Sequence, residues 1–168
     1  MNLKTALEKA ENSSFELWKL NLVLWKVIPF NAPHKPKLVE VKKNSLKVEL
    51  PFIRKNQNHI KGMHACALAT LSEYVCGLLL MKILGTDQYR IILKSLRLDY
   101  HAQGKKKVFA CFEIDPEWLE KTMQASIKTD SAWVHTFQVD VLDEDQRLIS
   151  SAYPEWQIKP WALVKTKV

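Results

Sequence analysis

Apolar residues recur every three or four positions at the start of the chain. Residues 2–26 therefore predict one amphipathic helix that ends before Pro29 and Pro33. The apolar face of this helix carries Leu7, Phe15, Trp18, Leu22 and Trp25. Because aromatic residues on an amphipathic helix usually face the core, we expect this helix to cover the core, and a membrane-surface anchor is the alternative.

Polar and apolar residues alternate after this helix, and one long apolar segment interrupts the alternation. PKLVEVKKNSLKVELPF alternates on both sides of residues 43–45, which predicts a β-hairpin. Residues 64–83 are apolar nearly all round, which predicts a buried central helix that ends near Gly85. A helix of this kind must be enclosed by the rest of the fold.

The remaining sequence predicts four strands and a short helix. The predicted elements are strands at 88–102 and 106–114 that pair with each other through a turn at 103–105, a helix at 116–127 that begins with Asp115 and Pro116, and strands at 132–142 and 147–159 around an acidic turn at 143–145. This order predicts an α+β fold in which one antiparallel sheet curls around one helix.

Length and composition fit one domain. The chain has 168 residues, of which 47% are hydrophobic, so we expect a single domain over 1–168, with the covering helix in 1–30 and the core in 35–160. The formal net charge of +7 favours anionic partners. Nucleic acid is not an expected partner, because the lysines are dispersed and no aromatic-basic motif surrounds them.

Cysteine content and hydropathy predict the compartment. Cys66, Cys76 and Cys111 are odd in number and form no CxxC pair, which favours a reducing compartment over disulfides or zinc. No segment reaches the roughly eighteen apolar residues of a membrane span, and the first residues lack the layout of a secretory signal. We therefore expect a cytoplasmic protein without a metal site.

A set of polar and small residues surrounds the start of the predicted central helix. The set consists of Asn58, Gly62, His64, Ala65 and Glu73. Together with the order of elements, it resembles the hot-dog fold, and most closely the acyl-CoA thioesterases of the phenylacetate-pathway type and a related group of uncharacterised hot-dog proteins. The resemblance spans residues 35–160 and implies hydrolysis of an acyl-CoA or acyl-carrier thioester.

The resemblance also implies roles for individual residues. Glu73 would act as general base on water or as nucleophile, and the amide of Ala65 would stabilise the oxyanion at the helix N-terminus. Asn58 would hold the water or the carbonyl, and His64 would orient a neighbouring group or assist proton transfer. No cofactor is implied beyond coenzyme A in the substrate. The lysines expected to bind its phosphates are Lys61, Lys105, Lys106 and Lys107.

Each of these residues also has a structural interpretation. Glu73 could be a hydrogen-bond partner of a core tyrosine or tryptophan, and His64 a helix cap or a core histidine. Asn58 stands in a polar segment where turn formation explains it. Residues 105–107 could be a solvated strand turn.

Helix geometry favours an oligomer. His64 and Glu73 are nine residues apart, so on a helix they point to opposite faces and lie roughly 13 Å apart along the axis. One chain cannot easily bring both to one substrate, whereas two antiparallel copies of the helix can. We therefore expect a homodimer or a tetramer with sites at the interface.

Two other functions remain open. His59 and Glu73 are fourteen residues apart, which resembles the hot-dog dehydratases and hydratases, although Ala67 and Leu68 stand where that family has Pro-Gly. The third hypothesis is a non-catalytic module that binds an acyl thioester or a lipid. It is favoured by Ala65 in place of the family's glycine and by the absence of a strand hydroxyl other than that of Ser95. No G-x-S-x-G motif of a serine hydrolase is present.

Overall fold

The computed structural model describes residues 2–127 and 132–165, and in them seven strands and four α-helices share one hydrophobic core. The helices are α1 (Leu3–Ala10), α2 (Ser14–Val27), α3 (Ala65–Leu84) and α4 (Pro116–Ile127). The strands are β1 (Lys37–Val41), β2 (Ser45–Leu50), β3 (Tyr89–Tyr100), β4 (Val108–Glu113), β5 (Trp133–Thr136), β6 (Val139–Asp143) and β7 (Leu148–Pro160). Single 3-10 turns occupy Arg54–Asn56 and Trp161–Leu163.

The strands form one antiparallel sheet around α3. Their order is β1-β2-β4-β6-β7-β3, and β5 pairs with β7 further along that strand than β6 does. A long helix packed inside an antiparallel sheet is the arrangement of the hot-dog fold, so the predicted α+β fold class is confirmed.

The central helix α3 is buried because it has almost no polar face. The Ser72 hydroxyl donates to the Leu68 carbonyl at 3.0 Å, which satisfies it within the helix. Lys82 is 5% exposed, and its Nζ contacts the carbonyls of the β1–β2 turn and the carboxylate of Glu11 at 2.7 Å. The helix ends at Gly85, whose φ of 78° a residue with a side chain rarely adopts, as predicted.

One helix in the described part of the chain is long and apolar enough to cross a membrane, and that helix is α3. The sheet encloses it, and 67% of its apolar window is buried in the fold. A core helix of this length passes the same test of hydropathy.

Two strand predictions are wrong in pairing or extent. The strands β3 and β4 are adjacent in sequence but do not pair, because β3 pairs with β7 and β4 lies between β2 and β6. The strand predicted at 132–142 is two strands, β5 and β6, separated at Phe137 and Gln138. The predicted hairpin of β1 and β2 and the helix after Asp115 are confirmed.

The N-terminal segment is two helices rather than the single predicted one. The chain leaves α1 after Ala10, and Ser13 begins α2 by accepting a hydrogen bond from the Glu16 amide at 3.3 Å. A serine in this position stabilises a new helix start, and its extended backbone interrupts the preceding helix. The periodicity of apolar residues continues across the break, which is why the sequence indicated one element.

The predicted core-facing side of the N-terminal helix is correct for Leu7 and wrong for three residues of α2. Phe15, Trp18 and Leu22 are exposed, and the buried residues of α2 are Leu20, Asn21 and Leu24. The cause is Asn21, whose Oδ1 accepts from the Leu38 amide at 2.8 Å and whose Nδ2 donates to the Leu38 carbonyl at 3.0 Å. These bonds turn the asparagine face of α2 toward β1.

The opposite edge of the sheet is a long strand with a free side. Strand β3 has twelve residues and pairs with β7 along one side, and no described strand pairs with its other side. Two of its large apolar side chains, Ile92 and Tyr100, are exposed. An apolar edge of this length is a surface on which another strand can pair.

Candidate functional site

The loop before α3 is closed by Asn58. The Oδ1 atom of Asn58 accepts hydrogen bonds from the amides of Ile60 at 3.1 Å and Gly62 at 2.9 Å, and the Asn58 amide donates to the Gly62 carbonyl at 2.8 Å. A Cβ at position 62 would lie 2.7 Å from the exposed Gln103 side chain, so that a larger residue there would displace the glutamine. The oxygen of Asn58 therefore has a structural role, and its carboxamide nitrogen makes no hydrogen bond within the described residues.

His64 caps the N-terminus of α3. Its Nδ1 accepts a hydrogen bond from the Cys66 amide at 3.0 Å, and its own amide donates to the Asn56 carbonyl at 2.7 Å. The amide of Ala65 has no acceptor in the part of the chain described by the structure, and Ala65 is exposed. An exposed amide at a helix N-terminus favours a negatively charged oxygen as its acceptor.

Glu73 lies near the middle of the same helix and is partly buried. Burial raises the pKa of its carboxyl above the usual value, and the carboxylate makes no hydrogen bond or ion pair with other described residues. Its Oε1 lies 3.6 Å from the position that a Cβ on Gly77 would occupy. The structural alternative, a bond from Glu73 to a core tyrosine or tryptophan, is not observed among the described residues.

Gly77 is required by the packing of Trp156 below Glu73. A Cβ at position 77 would lie 2.8 Å from Cη2 of Trp156, so only glycine admits the ring. Trp156 is 3% exposed and fills the space one turn beyond the carboxylate. The indole therefore forms one wall next to Glu73, a feature that the sequence did not predict because it depends on the pairing of β7 with β3.

A strip of α3 remains uncovered by the sheet. Its residues are small or polar and are partly or fully exposed, namely Ala65, Cys66, Ala69, Thr70 and Glu73. Tyr100 lies at the end of the edge strand β3, close to the start of the strip. Its hydroxyl donates a hydrogen bond of 3.3 Å to the Ala65 carbonyl. The strip and the free side of β3 are thus neighbouring surfaces. Tyr100 was not predicted, since no local pattern connects the end of β3 to the start of α3.

The structure separates the other candidate residues. His59 is exposed on the loop before α3 and makes no side-chain hydrogen bond within the described residues. Ser95, the strand hydroxyl considered in the sequence analysis, donates to Glu155 at 2.9 Å. Glu155 precedes Trp156 on β7, so it lies on the face of the sheet away from α3. Ser95 therefore does not supply a hydroxyl next to Glu73.

Two of the four candidate lysines lack an ion pair among the described residues. Lys106 donates to Asp145 at 2.7 Å, a hydrogen bond that raises the pKa of the lysine, and Lys107 lies 3.5 Å from Glu49. Lys61 and Lys105 are exposed and have no ion pair among the described residues. An open depression beside the start of α3 is lined by Arg54, His59 and Lys61. Arg54 was not among the phosphate-binding residues expected from the sequence.

Among the described residues, no group of three or more His, Cys, Asp and Glu side chains is arranged to hold a metal ion.

The chain matches one family model and several solved structures. The model of a domain of unknown function (DUF4442) matches residues 18–158, and no curated protein matches the chain. The structure of PA5026 from Pseudomonas aeruginosa, a protein of unknown function and probable thioesterase, is 19% identical with a TM-score of 0.76. That match covers 84% of this chain and 95% of PA5026.

Two further structures have the same fold at lower identity. Thioesterase HI1161 from Haemophilus influenzae is 11% identical with a TM-score of 0.68, over 93% of this chain and 97% of that one. The PaaI protein from the phenylacetic acid degradation operon of E. coli is 7% identical with a TM-score of 0.60, over 86% of this chain and 94% of PaaI. The predicted resemblance to hot-dog thioesterases is confirmed at the level of the fold.

Proposed function

The chain belongs to the DUF4442 family and has the fold of hot-dog thioesterases, and on this basis we propose that it hydrolyses acyl-CoA thioesters. The observation that carries the proposal is Glu73, a partly buried carboxylate without a partner among the described residues, on the uncovered strip of α3. An unpaired carboxylate in an apolar helix is unfavourable for folding, so a chemical role accounts for it better than a structural one.

The reaction needs a base and a site for the oxyanion. The Glu73 carboxylate accepts a proton from water while the water oxygen forms a bond to the thioester carbonyl carbon. The carbonyl oxygen becomes an oxyanion that accepts a hydrogen bond from the Ala65 amide at the positive end of α3. When the intermediate collapses, the carbon–sulfur bond breaks and the departing thiolate of coenzyme A takes the proton from Glu73.

These two groups meet in a dimer. We infer a twofold dimer in which β3 pairs with its copy and the two α3 strips face each other in antiparallel directions. The free side of β3 and the small residues of the strip support this arrangement, because small side chains let two helices approach closely. Glu73 of one chain then approaches Ala65 of the other, and each dimer has two equivalent sites.

Basic residues beside the start of α3 would hold the phosphates of coenzyme A. Arg54, Lys61 and Lys105 are exposed, and none of them has an ion pair within the described residues. We propose that the reaction takes place in the cytoplasm, which is a reducing compartment. This proposal is consistent with the free thiols of Cys66, Cys76 and Cys111.

The test is a panel of acyl-CoA esters of differing chain length and aromaticity, monitored for released thiol, beside an enoyl-CoA hydration assay. We expect thiol release that depends on Glu73 and no hydration. Hydration that requires both His59 and Glu73 would establish the dehydratase reading instead. If the protein bound acyl-CoA but released no thiol, the binding-module reading would replace the proposal; ligand-dependent thermal stabilisation would reveal such binding.

A further inference from the structure

Five large hydrophobic residues are exposed on α2 and the turn that follows it. The exposed fractions are 61% for Phe15, 55% for Trp18, 43% for Leu22, 66% for Val27 and 68% for Phe30. Phe15, Trp18 and Leu22 lie within about 60° of one another around α2, and the rings of Phe15 and Trp18 stack with their centres 5.9 Å apart. We call these three residues the N-terminal apolar patch. Single exposed apolar residues are common, but a contiguous group on one face indicates an interaction surface.

Hydrogen bonds from the buried side of α2 fix the direction in which this patch faces. Phe15 and Leu22 lie about half a helical turn from Leu20 and Leu24, which are buried. Asn21 holds the buried side against β1 through its two bonds to Leu38. Rotating the patch into the core would break both bonds, so the patch faces outward in the folded protein.

The surroundings of the patch are basic. Residues 13–37 contain four lysines, Lys19, Lys26, Lys35 and Lys37, and one acidic residue, Glu16. Lys19 pairs with Glu16 at 2.6 Å, and its Nζ also lies 4.8 Å from the centre of the Phe15 ring. The other three lysines are exposed and have no ion pair among the described residues. On the helix itself, Lys19 and Lys26 stand on the same outward side as Phe15 and Leu22.

A second copy of the chain fits this surface poorly. The patch belongs to the β1 edge of the sheet, whereas the dimer proposed above uses the β3 edge, so that dimer leaves the patch uncovered. In a twofold contact through the patch, the lysines of the two copies would approach each other, and like charges would oppose association. The charge of the patch instead matches an anionic partner.

We propose that the N-terminal apolar patch binds the surface of a lipid bilayer that contains anionic lipids. Phe15, Trp18 and Leu22 enter the boundary between headgroups and acyl chains, while Lys19 and Lys26 extend to the phosphates. Trp, Phe and Leu are the residues that enter the membrane interface in interfacial helices, and lysine side chains are long enough to reach the phosphates from the same side of α2. Attraction to anionic headgroups adds to the burial of apolar surface.

Sedimentation with vesicles tests this proposal. The full chain is mixed with vesicles of phosphatidylcholine with and without phosphatidylglycerol, and the bound fraction is measured. We expect binding to the anionic vesicles that weakens at high salt. The double variant Phe15→Ser/Trp18→Ser should bind at least about tenfold more weakly, since it loses most of the apolar surface that would be buried. Lys19→Gln/Lys26→Gln should lose the preference for anionic vesicles.

The matched control is Val134→Ser, which removes an exposed hydrophobic residue on β5 and should bind as the wild type does. Circular dichroism verifies that each variant is folded. The proposal is overturned if the wild type stays in the supernatant, or if Phe15→Ser/Trp18→Ser binds like the control. It is also overturned if light scattering shows that this double variant lowers the number of chains in the assembly, because the patch would then be an interface between copies.

Discussion

Glu73 lies eight residues beyond Ala65 on α3, which separates the two backbones by about 12 Å along the helix axis. The distance exceeds the reach of a glutamate side chain, so the carboxylate and the Ala65 amide of one chain cannot contact the same carbonyl group. Both groups nevertheless stand on surface that the sheet leaves uncovered. A second chain is the simplest way to bring the pair together, and the predictions below separate the roles of the two residues.

Replacing Glu73 with glutamine should abolish most of the hydrolysis. Glutamine keeps the size of the side chain but cannot accept the proton, so kcat should fall ~10²-fold or more while acyl-CoA binding survives. His59→Ala is the matched control, and its kcat should stay near that of the wild type. Equal losses in both variants would contradict hydrolysis by Glu73 alone and favour the dehydratase reading.

Replacing Ala65 with proline should remove the oxyanion donor and leave the helix intact. Proline has no amide hydrogen, yet it is well tolerated at the first position of a helix, and His64 already has the extended backbone that must precede proline. We expect kcat to fall ~10²- to 10³-fold at nearly unchanged melting temperature. Ala65→Gly keeps the amide and should stay active. A fully active Ala65→Pro variant would rule out the amide of Ala65 as the donor.

Burial of Glu73 should appear in the pH dependence of activity. Because burial raises the pKa of Glu73 above 4.5, the base is lost at a higher pH than for an exposed glutamate. The plot of kcat/KM against pH should therefore rise through this raised pKa and level off above it. An acidic limb at the position of an ordinary exposed glutamate would contradict the assignment of Glu73 as the base.

The same pKa predicts how Glu73 affects stability. The folded state favours the protonated form, so the contribution of Glu73 to stability is fully present below pH 4.5 and is lost as pH rises through the raised pKa. Glutamine is neutral at every pH. Glu73→Gln should thus raise the melting temperature relative to the wild type at neutral pH, and this gain should disappear in acid. A gain of equal size at both pH values would contradict the prediction.

Asn21 should be more important for stability than its polar character suggests. Replacing it with leucine leaves the amide and carbonyl of Leu38 without these partners. The free energy of unfolding, measured by urea denaturation, should therefore fall by about 2–3 kcal/mol. Asn12→Ala, at an exposed position between α1 and α2, should change stability by less than about 0.5 kcal/mol. Similar values for the two variants would mean that Asn21 does not hold α2 against β1.

Local patterns were sufficient for most of the elements. The apolar composition of α3 and Gly85 after it identified the central helix, and Asp115 with Pro116 identified the start of α4. Non-local pairing was not accessible in the same way. The neighbours β3 and β4 looked like a hairpin, yet their partners are strands that come much earlier or later in the chain.

The face that α2 presents was mispredicted for a related reason. A count of apolar positions treats Asn21 as a surface residue, whereas its two hydrogen bonds to Leu38 make it the buried one. At the candidate site, the sequence identified Glu73 and the start of α3 through the resemblance. It did not identify Trp156 and Tyr100, because both reach the site through the pairing and position of β7 and β3.

The central claim, that each site combines Glu73 of one chain with Ala65 of another, can be measured in a mixed dimer. Chains with Glu73→Gln and chains with Ala65→Pro are co-expressed with different tags, and dimers that carry both tags are purified. One site in such a dimer then has both damaged groups, and the other has both intact groups, so we predict about half of the wild-type kcat per dimer. Activity no higher than that of either variant alone would contradict the claim, because a site built within one chain would be damaged in every chain.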